Sequence, residues 1–194
     1  ASDIVYRNQR ASVKAIICVN DEYVTTQVRE AMSESPTVEV LVAVNSLAQK
    51  GCPVAEGFHD WFAEWEKAPA FVRPEEVNVN EDTMLMYFTS GTSGEPKMVA
   101  HDHLYALGHL VTGVFWHNLD EDSIHLTVAD TGWGKAVWGK LYGQWFAGAT
   151  VFVYDHEKFS AEKIMRMMEK YRITSFCAPP TIYRFMLQED FSQY

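Results

Sequence analysis

The sequence has few cysteines and no long apolar run. Three cysteines occur among its 194 residues, at Cys18, Cys52 and Cys177, and no two of them form a C-x-x-C pair. Neither a disulfide framework nor a zinc ribbon is therefore indicated, and a reducing compartment fits, so we expect a cytoplasmic protein. No apolar run approaches the roughly 20 residues of a membrane span, and the N-terminus lacks the apolar segment of a signal peptide.

Positive charge is also scarce. Sixteen Lys and Arg residues stand against 26 Asp and Glu residues, which gives a formal net charge of −10. This balance argues against nucleic acid or an anionic membrane as a partner, so any phosphate must be bound by a local group of residues. With 47% hydrophobic and 22% charged residues, the composition is that of a globular protein and excludes disorder.

Short apolar runs alternate with amphipathic stretches along the chain. The predicted strands are residues 13–19, 38–44, 84–89, 124–128, 150–154 and 173–177, and the predicted helices are residues 22–33, 58–67, 104–116, 136–147, 161–171 and 181–187. This order predicts an α/β fold of mostly parallel sheets with crossover helices, and ligands at the carboxyl ends of the strands. An acidic link with prolines separates a portion 1–82 from a portion 83–194.

A segment rich in Ser, Thr and Gly directly follows the predicted strand 84–89. It reads Thr89-Ser90-Gly91-Thr92-Ser93-Gly94-Glu95-Pro96-Lys97. Glycines allow positive φ angles, hydroxyl and N–H groups can donate to phosphate oxygens, and the lysine adds a positive charge, so the segment predicts a phosphate loop. It is neither a Walker A loop nor a G-x-S-x-G elbow, because the glycine spacing differs. By these residues alone, a solvated turn fits equally well.

The same segment resembles the Ser/Thr/Gly-rich loop ending in Pro-Lys of the adenylate-forming superfamily. Two further stretches agree in order and spacing, Ala129-Asp130-Thr131-Gly132-Trp133 and Ala178-Pro179-Pro180-Thr181 with Tyr183. The Asp-x-Gly-Trp element is typical of the short- and medium-chain acyl-CoA synthetase branch. The resemblance covers most of the chain, most firmly residues 84–188.

This resemblance implies part of the multi-layer N-terminal domain of an acyl-CoA synthetase, a ligase of fatty acid metabolism. Such an enzyme joins a carboxylic acid to ATP, releases pyrophosphate, and passes the acyl group from the acyl-adenylate to coenzyme A, with Mg²⁺ as the metal cofactor. It also implies that the loop binds the ATP phosphates, with Thr92 and Lys97 in catalytic contacts. The phosphate-binding residues it implies are Thr89, Ser90, Gly91, Thr92, Ser93, Gly94 and Lys97.

The resemblance further implies that residues after the Gly-Trp pair line the acyl pocket. They are Trp133, Gly134, Lys135 and Trp138. The acetate-specific branch carries bulkier residues at the position of Gly134, so a glycine there leaves room for a longer acyl group. Lys135 fits either a role in steering anionic groups or an ordinary solvated position, and Trp138 fits either the core or the pocket wall.

Two polar groups outside these motifs have structural interpretations. His101 and His103 flank Asp102, but two histidines without a third ligand favour helix capping by Asp102 over a metal site, and no metal-binding residue is predicted. Asp130 fits either a loop-fixing carboxylate or a site residue.

Several family segments have no counterpart in this sequence. They are the aromatic-Gly-x-Thr-Glu segment, the Thr-Gly-Asp segment and the small C-terminal domain with its catalytic lysine. We therefore expect an internal fragment that is inactive alone and that self-associates through apolar patches, such as the one around Trp61 and Trp65. Two alternatives remain open: a phosphotransferase or nucleotide hydrolase that uses the same loop, and a non-catalytic nucleotide-binding module.

Overall fold

The computed structural model describes residues 1–90, 94–130, 132–154, 156 and 158–194. These residues form two compact units. The first unit contains Ala1–Val77 and Phe88–Met98, and the second contains Asn78–Tyr87 and Val99–Tyr194. The separation into portions 1–82 and 83–194 stays a prediction.

The first unit is built on a parallel sheet. Its strands lie side by side in the order β1 (Ala15–Val19), β2 (Val40–Val44) and β3 (His59–Asp60). Its helices are α1 (Ser2–Ala11), α2 (Glu22–Ala31) and α3 (Trp61–Lys67). The Asp21 carboxylate accepts a hydrogen bond from the Val24 N–H and so caps α2, and Val28 packs against Ala43 and Phe58 in the core. The predicted β-α-β order is confirmed, whereas α1 and β3 were not predicted.

A pair of strands joins the two units along the chain. Strand β4 (Thr83–Thr89) pairs with β5 (Lys97–Asp102) in a two-stranded sheet. The prediction of β4 is confirmed, and the expectation that Asp102 caps a helix needs correction only in position, because His103 and not Asp102 is the N-cap residue. Asp102 is the last residue of β5, and helix α4 begins at Leu104, whose N–H donates to the Asp102 carboxylate at 3.0 Å.

The second unit is built on another parallel sheet with β6 in the middle. Its strands are β6 (Ile124–Thr127), β7 (Thr150–Phe152) and β8 (Ser175–Cys177), in the order β7-β6-β8. Its helices are α4 (Leu104–Val111), α5 (Gly134–Val137), α6 (Gly143–Phe146), α7 (Ala161–Tyr171) and α8 (Pro180–Met186). Leu126, Ile164 and Met165 form its core with Met186, because one apolar face of α7 lies on the sheet. The predicted α/β fold with parallel strands is confirmed. No helix in the described ranges is both long and apolar enough to cross a membrane.

Two of the helices predicted in this unit, residues 104–116 and 136–147, each contain a π-helical turn. Helix α4 continues as a first π segment, Thr112–Trp116, and a second π segment, Trp138–Tyr142, joins α5 to α6. Gly113 of the first π segment lies against Gly143, the first residue of α6 directly after the second π segment, and a Cβ added to Gly113 would collide with the Gly143 backbone. The absence of side chains at these positions therefore permits backbone-to-backbone contact.

A buried histidine on the middle strand ties this sheet to the second π segment. His125 is 1% exposed, with its Nε2 2.7 Å from the Thr127 hydroxyl and its Nδ1 2.8 Å from the Ser175 hydroxyl. The Thr127 hydroxyl donates to the Gly139 carbonyl, so it accepts from the His125 Nε2–H. His125 Nδ1 then accepts from Ser175. Burial, with a smaller effect from His117, lowers the pKa of His125 from 6.5 to about 4, so the ring is neutral at pH 7.

We expect Gly113→Ala to destabilise the chain by at least about 2 kcal/mol, because the new methyl group must push the two backbones apart. Gly108→Ala is the matched control, since a Cβ there meets no atom within 4 Å and alanine is the better helix former. Denaturant unfolding measures both variants. Equal stabilities for the two would contradict the close contact.

The neutral state of His125 predicts a pH dependence of stability. Its folded pKa lies below its unfolded pKa, so the unfolded chain binds more protons, and the free energy of unfolding falls as the pH decreases from about 6.5 to 4. The contribution is on the order of 3 kcal/mol. We expect His125→Gln to reduce this slope in denaturant titrations from pH 7 to pH 4. An unchanged slope in His125→Gln would contradict the conclusion that burial keeps His125 neutral in the folded chain.

Candidate functional site

The predicted phosphate loop connects β4 to β5 in the first unit. Gly91, Thr92 and Ser93 lie outside the described residues, so their predicted contacts stay predictions. At the loop exit Gly94 has φ +90°, a left-handed conformation that glycine adopts without strain. The Thr89 hydroxyl donates to the Lys97 carbonyl at 3.5 Å and so links the two ends of the loop.

Helix α1 supports this loop, which sequence reasoning missed. The Tyr6 hydroxyl donates to the Pro96 carbonyl at 2.8 Å, and the Tyr6 ring meets the Phe88 ring edge-on at 6.1 Å. The Arg7 guanidinium lies over the same Phe88 ring, 5.9 Å from its centroid. Tyr6 and Arg7 are neighbours and reach both ends of the loop, but nothing in their local sequence indicates a partner so distant in the chain.

The described part of the loop offers exposed hydrogen-bond donors. Ser90 and Lys97 are exposed, and within the described residues Lys97 forms no ion pair. Hydroxyl and ammonium groups suit phosphate oxygens. No group of three or more His, Cys, Asp or Glu residues in the described ranges is placed to hold a metal ion.

The Asp-x-Gly-Trp element forms a turn that starts helix α5 in the second unit. The Asp130 carboxylate accepts from the Gly132 N–H at 2.7 Å, and its backbone carbonyl accepts from the Trp133 N–H at 3.1 Å. Of the two readings left open for Asp130, the structure supports the loop-fixing carboxylate. Thr131 lies outside the described residues.

An apolar cleft of about 550 Å³ opens beside the two π segments. Its described lining residues are His109, Val111, Thr112, Phe115, Trp116 and Trp138. Trp138 was predicted for the acyl pocket; it lines this cleft, and its role in acyl binding stays a prediction. The other residues were missed, although the helical spacing of His109, Thr112 and Trp116 could have grouped them on one face.

The other three predicted acyl residues are not among the described lining residues. Trp133 is 60% exposed at the start of α5, and Gly134 faces the Tyr87 ring, which a Cβ would approach to 3.7 Å. Lys135 is half-buried. Burial lowers the pKa of His117, and the nearby positive charge of Lys135 lowers it further. Their roles in acyl binding stay predictions.

A row of aromatic and imidazole rings in contact extends from strand β5 to the cleft. The His101 ring lies 4.2 Å from Tyr105, and Tyr105 lies 4.5 Å from His109. Burial lowers the pKa of His109, with a smaller effect from His101, while burial and the neighbouring phenols Tyr105 and Tyr142 raise the pKa of Tyr87 to about 12. His109 and Tyr87 are therefore uncharged at neutral pH. The His101 ring takes part in the contact with Tyr105.

Comparison with known proteins identifies relatives over the full chain. The profile of the AMP-binding enzyme family matches residues 1–194. The mitochondrial acyl-coenzyme A synthetase ACSM5 of Mus musculus is 34% identical over 200 residues, covering 100% of this chain and 32% of that protein. The mitochondrial ACSM3 of Homo sapiens is 40% identical over 116 residues, covering 59% of this chain and 20% of that protein. The chain thus spans at most about a third of these relatives.

Solved structures share the fold. The anthranilate CoA ligase AuaEII, solved with anthranoyl-AMP, has a TM-score of 0.83 at 22% identity, covering 100% of this chain and 36% of that one. The acyl-CoA synthetase of Brucella canis has a TM-score of 0.76 at 21% identity, covering 96% of this chain and 32% of that one.

The relatives correct one expectation and confirm another. We expected a cytoplasmic protein, but that expectation is wrong, because the matching acyl-coenzyme A synthetases are mitochondrial. A low cysteine count argues against an oxidising compartment, but it does not distinguish the cytoplasm from the mitochondrion. The resemblance to adenylate-forming enzymes is confirmed, and the chain belongs to the AMP-binding enzyme family.

Proposed function

We propose that the protein to which this chain belongs is an acyl-CoA synthetase of the AMP-forming type that activates a short- or medium-chain carboxylic acid. The observation that carries the proposal is a Ser/Thr/Gly-rich loop with an exposed Lys97, between paired strands, in a chain whose whole length belongs to the AMP-binding family. ATP and coenzyme A are its proposed co-substrates, and Mg²⁺ is its proposed metal.

In the first step the acid carboxylate attacks the α-phosphorus of ATP. A carboxylate oxygen–phosphorus bond forms, the bond to the bridging oxygen breaks, and pyrophosphate leaves with the electron pair. An anion must approach a polyanion, so donors around the β- and γ-phosphates lower the barrier by stabilising charge on the leaving group. Lys97 and the loop hydroxyls, with Thr92 among them, are proposed for this role. The coenzyme A thiol then displaces AMP from the acyl-adenylate.

The apolar cleft is proposed to hold the tail of the acyl group. Four of its six described lining residues carry aromatic or imidazole rings, and the pKa of His109 is lowered, so the wall is uncharged at neutral pH. Each methylene that enters such a wall contributes about 0.8 kcal/mol. Trp133, Gly134 and Lys135 are proposed to act with Trp138 in acyl binding.

Exposed aromatic side chains, Trp65, Phe71 and Phe115 among them, support our proposal that the chain by itself self-associates.

The function is tested by acid-dependent exchange of labelled pyrophosphate into ATP with the complete protein, across acids from acetate to decanoate. We expect exchange with one class of acids and a loss of at least about 100-fold in Lys97→Ala, because a donor to the leaving group is gone. Lys163→Ala, which removes an exposed lysine on α7, is the control and keeps full activity. Splitting of ATP to ADP without exchange would overturn the proposal in favour of a phosphotransferase or hydrolase.

The size of residue 134 is expected to affect chain-length preference. Gly134→Ala places a Cβ at ordinary contact distance from the Tyr87 ring, whereas the extra methyl groups of Gly134→Val narrow the space further. We expect the valine variant to shift kcat/KM toward shorter acids by about tenfold or more, and the alanine variant to shift it less. An unchanged preference in Gly134→Val would exclude Gly134 from the acyl site.

A further inference from the structure

Gln144 is a fully buried amide on helix α6, at 0% exposure, and it is not among the described residues that line the cleft. We infer that Gln144 is a positioning residue: it fixes the orientation of Trp138 in the cleft wall and thereby sets the enzyme's preference among acids. The inference rests on the proposed function, because it concerns the acid that the cleft would take.

The hydrogen bonds of Gln144 fix the orientation of its amide. Its Nε2 lies 2.7 Å from the Gly139 carbonyl and 3.1 Å from Nδ1 of His117. A carbonyl only accepts, so the amide NH₂ must face it, and the second hydrogen then points to the imidazole. His117 Nδ1 is therefore the acceptor, and the neutral ring carries its proton on Nε2. Burial, with a smaller effect of the Lys135 charge, lowers the pKa of His117 and favours this neutral form.

Both partners of Gln144 are in contact with Trp138. Gly139 is the residue after Trp138 in the second π segment, and its carbonyl also accepts from the Thr127 hydroxyl, so strand β6 and helix α6 hold the backbone one residue beyond Trp138. His117 stacks on the indole with its ring centroid 6.3 Å away and an angle of 11° between the ring planes. Gln144 thus holds the backbone beside Trp138 and the ring that stacks on it.

The same cleft wall receives a second stacked imidazole. His109 lies 5.9 Å from the Trp138 ring at an angle of 17°, and both residues line the cleft. Contact with two nearly parallel rings restricts the indole to one plane, and a planar wall of fixed orientation discriminates between acids by shape. Loss of the Gln144 hydrogen bonds releases the His117 ring and the Gly139 peptide together, and so lets the indole turn.

A residue that only stabilises the fold would affect both substrates alike, whereas a positioning residue for Trp138 affects the acid alone. The variant Gln144→Met keeps a similar length and removes both donors. In the complete protein we expect Gln144→Met to raise the KM for the preferred acid about tenfold, which corresponds to about 1.4 kcal/mol. The KM for ATP stays within about twofold, and the ratio of kcat/KM between a straight-chain and a ring-bearing acid changes.

Two further variants complete the experiment. Gln188→Met removes an exposed glutamine and serves as the matched control, with no change in either KM. Thr127→Val removes the other donor to the Gly139 carbonyl and is expected to raise the acid KM in the same direction, so the inference remains testable if Gln144→Met folds poorly.

The outcomes separate the inference from the proposed function. If the wild-type protein exchanges pyrophosphate but both variants leave the acid KM and the acid preference unchanged, or raise the KM values for acid and ATP equally, Gln144 has no positioning role. If the wild-type protein exchanges pyrophosphate with no acid, the proposed function fails and this inference fails with it.

Discussion

The candidate acyl site depends on a contact between two stretches of backbone. Gly113 and Gly143 meet without a side chain between them, and this brings the two π segments side by side. Trp116 of the first π segment and Trp138 of the second both line the cleft, with their ring centroids 6.0 Å apart. A wider helical turn changes the direction of the side chains that follow it, and such turns are frequent at functional sites. The glycines permit the close approach, and the π turns direct the aromatic rings.

Much of the fold could be predicted because apolar runs and amphipathic stretches alternate in the sequence. Strands β1 and β2 are short apolar runs that are paired on one or both edges, and α2 and α7 begin with side-chain caps at Asp21 and Ser160. Strand β5 was missed because its residues Lys97–Asp102 are mostly exposed, so no apolar alternation marks them. The π turns were missed because their residues have the composition of an ordinary helix.

The candidate sites were predictable only in part. The phosphate loop stands out because its residue types and their order are unusual, and Trp138 was named because it follows the Gly-Trp pair. Tyr6 lies 90 residues from Pro96, and Gln144 lies 27 residues from His117, so no local pattern connects either pair. Long-range side-chain hydrogen bonds leave no periodic signal in a sequence, and the residues that support a site are therefore harder to predict than those that form its loops.

The hydrogen bond between Tyr6 and Pro96 has a consequence for the order in which the chain folds. The first unit is discontinuous, since Phe88–Met98 returns to it after Asn78–Tyr87 has entered the second unit. During synthesis the ribosome releases the N-terminal helix long before the segment that it supports, and chains emerge at about 5 to 20 residues per second. The Tyr6 hydroxyl of helix α1 can therefore donate to the Pro96 carbonyl only several seconds later, after residue 96 has left the ribosome. The first unit therefore completes its contacts only after residues 78–87 of the second unit have been synthesised.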